Sequence, residues 1–152
     1  MGIEQDGRTM TKKRKIRVLM VEDTKAVRTN LSAFLLDLDD LELVGDATSG
    51  KRAINLIDRL KPDVVLLGLV LEGMDGLTTM RKIHSKYPQT KVIVMAPGNE
   101  MDQVEAAMAA GAAGFVRQEF MAEEMECAIR AVYNRRQGTP AKTGGFYSRV
   151  TL

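Results

Sequence analysis

The run Val64-Val65-Leu66-Leu67-Gly68-Leu69, with no polar side chain in it, constrains this chain more than any other segment. Successive side chains of a strand point to opposite faces of a sheet, so a strand that is apolar throughout must be covered on both sides. Ile16 to Val21 and Lys91 to Met95 repeat the pattern almost unbroken, Phe115-Val116 repeats it in brief, and Glu42 to Ala47 reads as a further strand. Between these runs the apolar spacing changes to three and four residues, the period of a helix with one buried stripe. Val27, Leu31, Phe34, Leu35 and Leu38 mark a helix over Lys25 to Leu38, with Thr24 placed to cap it. Ala53, Ile54, Ile57 and Leu60 mark a second that must end before Pro62, and Leu77, Met80 and Ile83 a third. Val104, Ala107 and Met108 mark a fourth, closed by Gly111, and Met125, Ala128, Ile129 and Val132 a fifth.

Five strands alternating with five helices imply an α/β fold, a doubly wound parallel sheet built by right-handed crossovers. Ligand sites in such sheets lie at the carboxyl ends of the strands. That rule selects Glu22 and Asp23 after the first strand, Gly68 in the third, Ala96 after the fourth and Gln118 after the fifth. Asp75, in the loop before the third helix, is by position a loop or helix-cap residue. The alternation places one domain over residues 16–136. Residues 1–15, polar and carrying the basic run Arg8, Lys12, Lys13, Arg14 and Lys15, read as a flexible arm. Residues 137–152, with Gly138, Pro140, Gly144 and Gly145 and no period, read as a loosely ordered tail.

Composition removes several classes of function. A lone cysteine, Cys127, and a lone histidine, His84, provide neither an internal disulfide nor a zinc-ligand cluster. A net charge of +2, with no aromatic residue among the basic run, gives no expectation of nucleic-acid binding. The longest apolar stretch, Val64 to Leu71, falls far short of the ~20 residues of a membrane span, and no secretory h-region opens the chain, so a cytoplasmic protein is expected.

The segments IRVLMVEDTKAVRTNL, LVGDATSGKRAINLI, KPDVVLLGLVLEGMDGLTTMRKI, KVIVM and AAGAAGFV, in this order and spacing, resemble the response-regulator receiver family, and in detail its NarL/FixJ-type branch. The resemblance implies a flavodoxin- or CheY-like sheet of five strands in the order 2-1-3-4-5, flanked by five helices. It also implies a chemistry: phosphoryl transfer to an aspartate on the third strand, with magnesium held beside an acidic pair and a Ser/Thr and a Lys on the phosphoryl oxygens. Glu22 and Asp23 match the acidic pair. The phosphoacceptor position is Gly68, the Ser/Thr position is Ala96 and the Lys position is Gln118. A glycine in a strand is also what a close approach by another group would require. Magnesium, which binds protein through one or two carboxylates plus phosphate, is not expected here. If any cation binds, Glu22 and Asp23 are its ligands.

The expectation is therefore a phosphorylation-independent receiver, not an enzyme, that pairs with itself or with another signalling protein in signal transduction or transcription regulation. The alternative is an N-terminal regulatory fragment of a NarL/FixJ-type DNA-binding response regulator without its helix-turn-helix domain. In receivers an aromatic residue on the fifth strand reorients with the Ser/Thr, and Phe115 matches it, so Ala96, Phe115 and Gln118 are the switch positions. Met101, Val104, Arg117, Glu124 and Arg135 are the interface candidates on the surface of the fourth helix, fifth strand and fifth helix.

Overall fold

A computed structural model describes residues 14–71, 74–118 and 121–135, apart from the side chains of 121–123. In chain order the elements are β1 (Ile16–Val21), α1 (Lys25–Leu36), β2 (Leu41–Ala47), α2 (Gly50–Leu60) and β3 (Val64–Gly68). They continue as α3 (Gly76–Lys86), β4 (Lys91–Ala96), α4 (Met101–Ala109), β5 (Gly114–Arg117) and α5 (Met121–Asn134). All strand pairs are parallel and the sheet order is β2-β1-β3-β4-β5, as the resemblance implied. Every residue of β3 is buried, which is the condition its composition demanded. α1 packs beside α5, while α2 meets α3 and α3 meets α4, so the helices divide two and three between the faces of the sheet.

Local chemistry sets the boundaries. The Ser49 hydroxyl accepts from the Arg52 N–H at the start of α2, and the Asp75 carboxylate accepts from the Thr78 N–H at 2.7 Å at the start of α3. Thr24 occupies the N-cap of α1 but does not cap it, because its hydroxyl is turned to Asp23. α1 also stops two residues earlier than its apolar stripe suggests, at Leu36, with Asp37 as C-cap. Past α4, Gly111 adopts a φ of +114°, which a side chain would resist, and the His84 ring lies where its Cβ would stand. Gly76 is bound by its N–H to Leu69 O at 3.0 Å, and a Cβ there would strike the Leu69 backbone.

Two expectations change. The end of the basic arm is not free: Arg14 donates from Nη1 to the Tyr133 hydroxyl and from Nη2 to Asp63 Oδ1, both at 3.0 Å. Asp63 in turn accepts the Arg17 N–H at 2.9 Å, so the arm is anchored where β1 begins. Residues 1–13 and the tail over 137–152 lie outside the described residues. Val104 is 1% exposed and packs in the core, so it is unavailable to any partner. An apolar residue on the inner stripe of α4 had been assigned to its outer surface.

Val104→Glu should therefore unfold the domain rather than weaken an interface, because it buries a carboxylate with no partner. In urea titrations its midpoint should fall by the equivalent of ~3 kcal/mol or more, while Met101→Glu, at a half-exposed position, should stay close to the parent.

Candidate functional site

The carboxyl ends of the strands lie side by side along one edge of the sheet. Val21 pairs with Leu67, Gly68 with Met95, and Ala96 with Arg117. Just beyond Val21, the Glu22 N–H is fixed by Ala47 O at 2.9 Å and the Glu22 carbonyl accepts from Arg28 Nη1 at 2.9 Å. With its backbone held from both sides, the Glu22 side chain turns inward and is 3% exposed. Its Oε2 accepts the Thr24 N–H at 3.0 Å. Its Oε1 leans over Gly68: a Cβ built on Gly68 would lie 2.6 Å from that oxygen and 3.4 Å from Val21 O. The carboxylate of the first strand thus fills the room in which a side chain on the third would begin.

Burial pushes the Glu22 carboxyl above the ordinary carboxylate range, and the Thr24 bonds oppose this only in part; the charge of Asp23 adds a smaller push upward. Asp23 is half-exposed and takes a hydrogen bond of 3.4 Å from the Thr24 hydroxyl. Among the described residues no group of three His, Cys, Asp or Glu side chains could hold a metal ion. The two carboxylates at this edge differ in posture, one folded over Gly68 and the other half-exposed.

Of the switch positions, Ala96 is 1% exposed and ends β4 with only a methyl group, and Phe115 is wholly buried. Gln118 is half-exposed just past β5. Met101, Arg117 and Glu124 are half-exposed, and the latter two are already engaged in interactions of their own. Arg135 belongs to the other end of β5, where Nη1 donates to Ala113 O at 3.1 Å and burial lowers its pKa. It stands beside Lys91, whose pKa falls through burial and then through the neighbouring guanidinium.

Sequence reasoning found the residues at the strand ends but not the lean of Glu22 over Gly68. The available signal was an acidic residue directly after a buried strand, with a glycine at the end of the adjacent one.

The model of the response regulator receiver domain matches residues 18–130. The transcriptional regulatory protein LiaR of Bacillus subtilis is 35% identical over 130 residues, which are 86% of this chain and 62% of that protein. Response regulator GacA of Pseudomonas aeruginosa is 39% identical over 118 residues, 78% of this chain and 55% of GacA. Among solved structures, the response regulator domain of Thermotoga maritima CheB superposes with a TM-score of 0.75 at 28% identity, over 81% of this chain and 99% of that domain. The signal receiver domain of NarL from Mycobacterium tuberculosis gives 0.74 at 28% identity, over 81% of this chain and all of that one, 100%. The fold is that of the solved receiver domains on which it superposes. The chain belongs to the response regulator receiver domain family. It spans little more than half the length of the curated relatives it matches, 62% of LiaR and 55% of GacA.

The buried carboxyl sets a pH dependence whose sign follows from linkage. Folded Glu22 holds its proton to higher pH than the unfolded chain does, so its contribution favours folding at low pH. That contribution is lost as pH rises from the ordinary carboxylate range through the folded value. Glu22→Gln keeps an acceptor for the Thr24 N–H without the charge. In urea unfolding it should exceed the parent in stability near neutral pH, and the difference should shrink towards pH ~4.

Proposed function

We propose that this receiver works without phosphorylation, as a protein–protein interaction module of a signal-transduction or transcription-regulating system. The observation that carries the reading is the Glu22 carboxylate lying in the space of the absent side chain at Gly68. No nucleophile stands at that position, and the space where a side chain would begin is taken by the Glu22 carboxyl. Ala96 supplies no hydroxyl and Gln118 no cation for the oxygens of a phosphoryl group. On this reading the chain is not an enzyme, needs no cofactor and uses no magnesium. Its partners are a second copy or another signalling protein, met in part through Met101, Arg117 and Glu124, with Arg135 already committed to Ala113. Cytoplasmic location agrees with the absence, among the described residues, of any helix long and apolar enough to cross a membrane.

A second reading is favoured by one observation, the fraction of LiaR and GacA that the chain spans. It makes the chain the regulatory part of a NarL/FixJ-type DNA-binding regulator, with DNA contact made elsewhere than in the described fold. Both readings share the same acceptor position, Gly68.

Incubation with acetyl phosphate, followed by intact-mass analysis, should show no added phosphoryl group. A stoichiometric adduct on any residue would overturn the proposal. Gly68→Asp alone should gain at most slow, partial phosphorylation, because the new side chain must first displace Glu22 and still meets Ala96 and Gln118. Titration calorimetry with magnesium should give weak binding and no sharp preference over calcium. A tight isotherm abolished by Asp23→Ala would restore a metal function to the acidic pair.

A further inference from the structure

On the three-helix face an open groove of about 690 Å³ runs between α2 and α3. Lys51, Arg81, Lys82 and Lys86 line it over a partly apolar floor of Ile54 and Met74, and no carboxylate is among its lining residues. Among the described residues, the nearest acids beside these two helices have partners of their own, and Asp75 also feels the charge of Arg81. Asp75 caps α3 at Thr78, and Asp58 accepts the Tyr87 hydroxyl at 3.1 Å and lies 4.0 Å from Lys61 Nζ. Four exposed cations thus face one apolar-floored trough, with Asp75 near enough to Arg81 for their charges to interact and no carboxylate among the described lining residues. A net charge of +2 for the whole chain means that matching negative charge is gathered elsewhere.

It is gathered on the opposite face. α1 ends in Leu36, a large apolar side chain 74% exposed, and Asp37, Asp39, Asp40 and Glu42 follow within six residues. Arg130 of α5 holds Asp40 by two bonds, Nε to Oδ2 at 2.7 Å and Nη2 to Oδ1 at 2.8 Å, which ties this loop to the body of the domain. Among the described residues none bonds to the carboxylates of Asp37, Asp39 or Glu42. A fixed, acidic loop led by an exposed leucine is the complement of a basic groove with an apolar floor.

We propose that residues 36–42 of one copy dock into the α2–α3 groove of a second copy, Leu36 against Ile54 and Met74 and the carboxylates towards the four cations. The donor loop and the acceptor groove lie on opposite faces of the sheet, so the contact is head-to-tail. The pair keeps one unused loop and one unused groove, so the contact propagates into a ring or an open row. A nucleic acid is the less fitting occupant, because no aromatic side chain lines the groove for a base to stack on. The exposed charges make the association weak individually and sensitive to salt. It leaves the surface of α4, β5 and α5 free for a different partner, and it stands whether or not the protein is ever phosphorylated.

Sedimentation velocity of the full chain tests it. Association should grow with concentration at about 50 mM salt and disappear at about 500 mM, where screening reaches within a few ångströms. The groove variant Lys51→Ala/Arg81→Ala/Lys82→Ala and the loop variant Asp37→Ala/Asp39→Ala should each be monomeric alone. Mixed, they should form a one-to-one pair that grows no further, since one intact loop and one intact groove remain. Circular dichroism confirms folding, and Lys82→Glu with Leu36→Glu replaces either variant that fails to fold, each weakening association about tenfold. A monomeric parent at low salt, association indifferent to both variants, or a mixture that does not pair overturns the proposal. So does loss of association on Arg117→Glu with none on the groove variant, which would place the contact on α4, β5 and α5 instead.

Discussion

Everything in this fold follows from a central strand that no solvent can reach. Val64 to Gly68 are buried between β1 and β4 and beneath helices on both faces, so the sheet offers the outside only its ends. At the carboxyl end the chain places two acidic residues straight after β1. The Ala47 carbonyl and Arg28 guanidinium fix the backbone of the first, and its side chain is left to find room inside. The room exists because β3 ends in a residue with no side chain. Gly68 and Glu22 are therefore linked, since a side chain at Gly68 would require the Glu22 carboxyl to shift.

Comparison with the exposed carboxylates shows which effect wins at Glu22. Asp75 and Asp40 are each held below the ordinary carboxylate range, mainly by hydrogen bonds, from the Thr78 N–H in one case and the Arg130 guanidinium in the other. Both groups remain in contact with water, so desolvation is a minor cost. Glu22 also accepts a backbone N–H, at 3.0 Å, yet its carboxyl is pushed up. The bonds from Thr24 do not offset nearly complete burial. The acidic pair is thus asymmetric: Glu22 is enclosed and reluctant to ionise, and Asp23 is open to solvent.

The strand order, the crossovers and the assignment of the strand ends were legible because they rest on periodicity, which burial enforces along whole segments. Contacts between side chains distant in sequence were not. Nothing in the segment around Arg14 announces that its guanidinium will find Asp63 and Tyr133, or that Arg130 will hold Asp40 across 90 positions. Val104 was misplaced for a related reason: α4 is short and rich in alanine, so its inner and outer faces differ little in sequence. Thr24 failed as a cap because Asp23 competes for its hydroxyl. Asp75 has no such rival and caps as its position suggests.

The proposed loss of phosphorylation bears on how many states this domain can hold. A ligand shifts a conformational equilibrium only by its differential affinity for the two states. Phe115 is wholly buried here, and Ala96 offers a methyl group where a hydroxyl would be drawn towards a bound anion. Bringing Phe115 out would forfeit the burial of a large apolar side chain, about 1.5–3 kcal/mol, with no phosphoryl contact to offset it. The alternative state would then be populated roughly ten- to a hundredfold less than the present one. On the proposed reading no phosphoryl input reverses that ratio, so the surfaces seen here would be the working ones and control of a partner would rest on concentration and ionic conditions. A groove lined by cations and a loop of carboxylates respond to those variables directly.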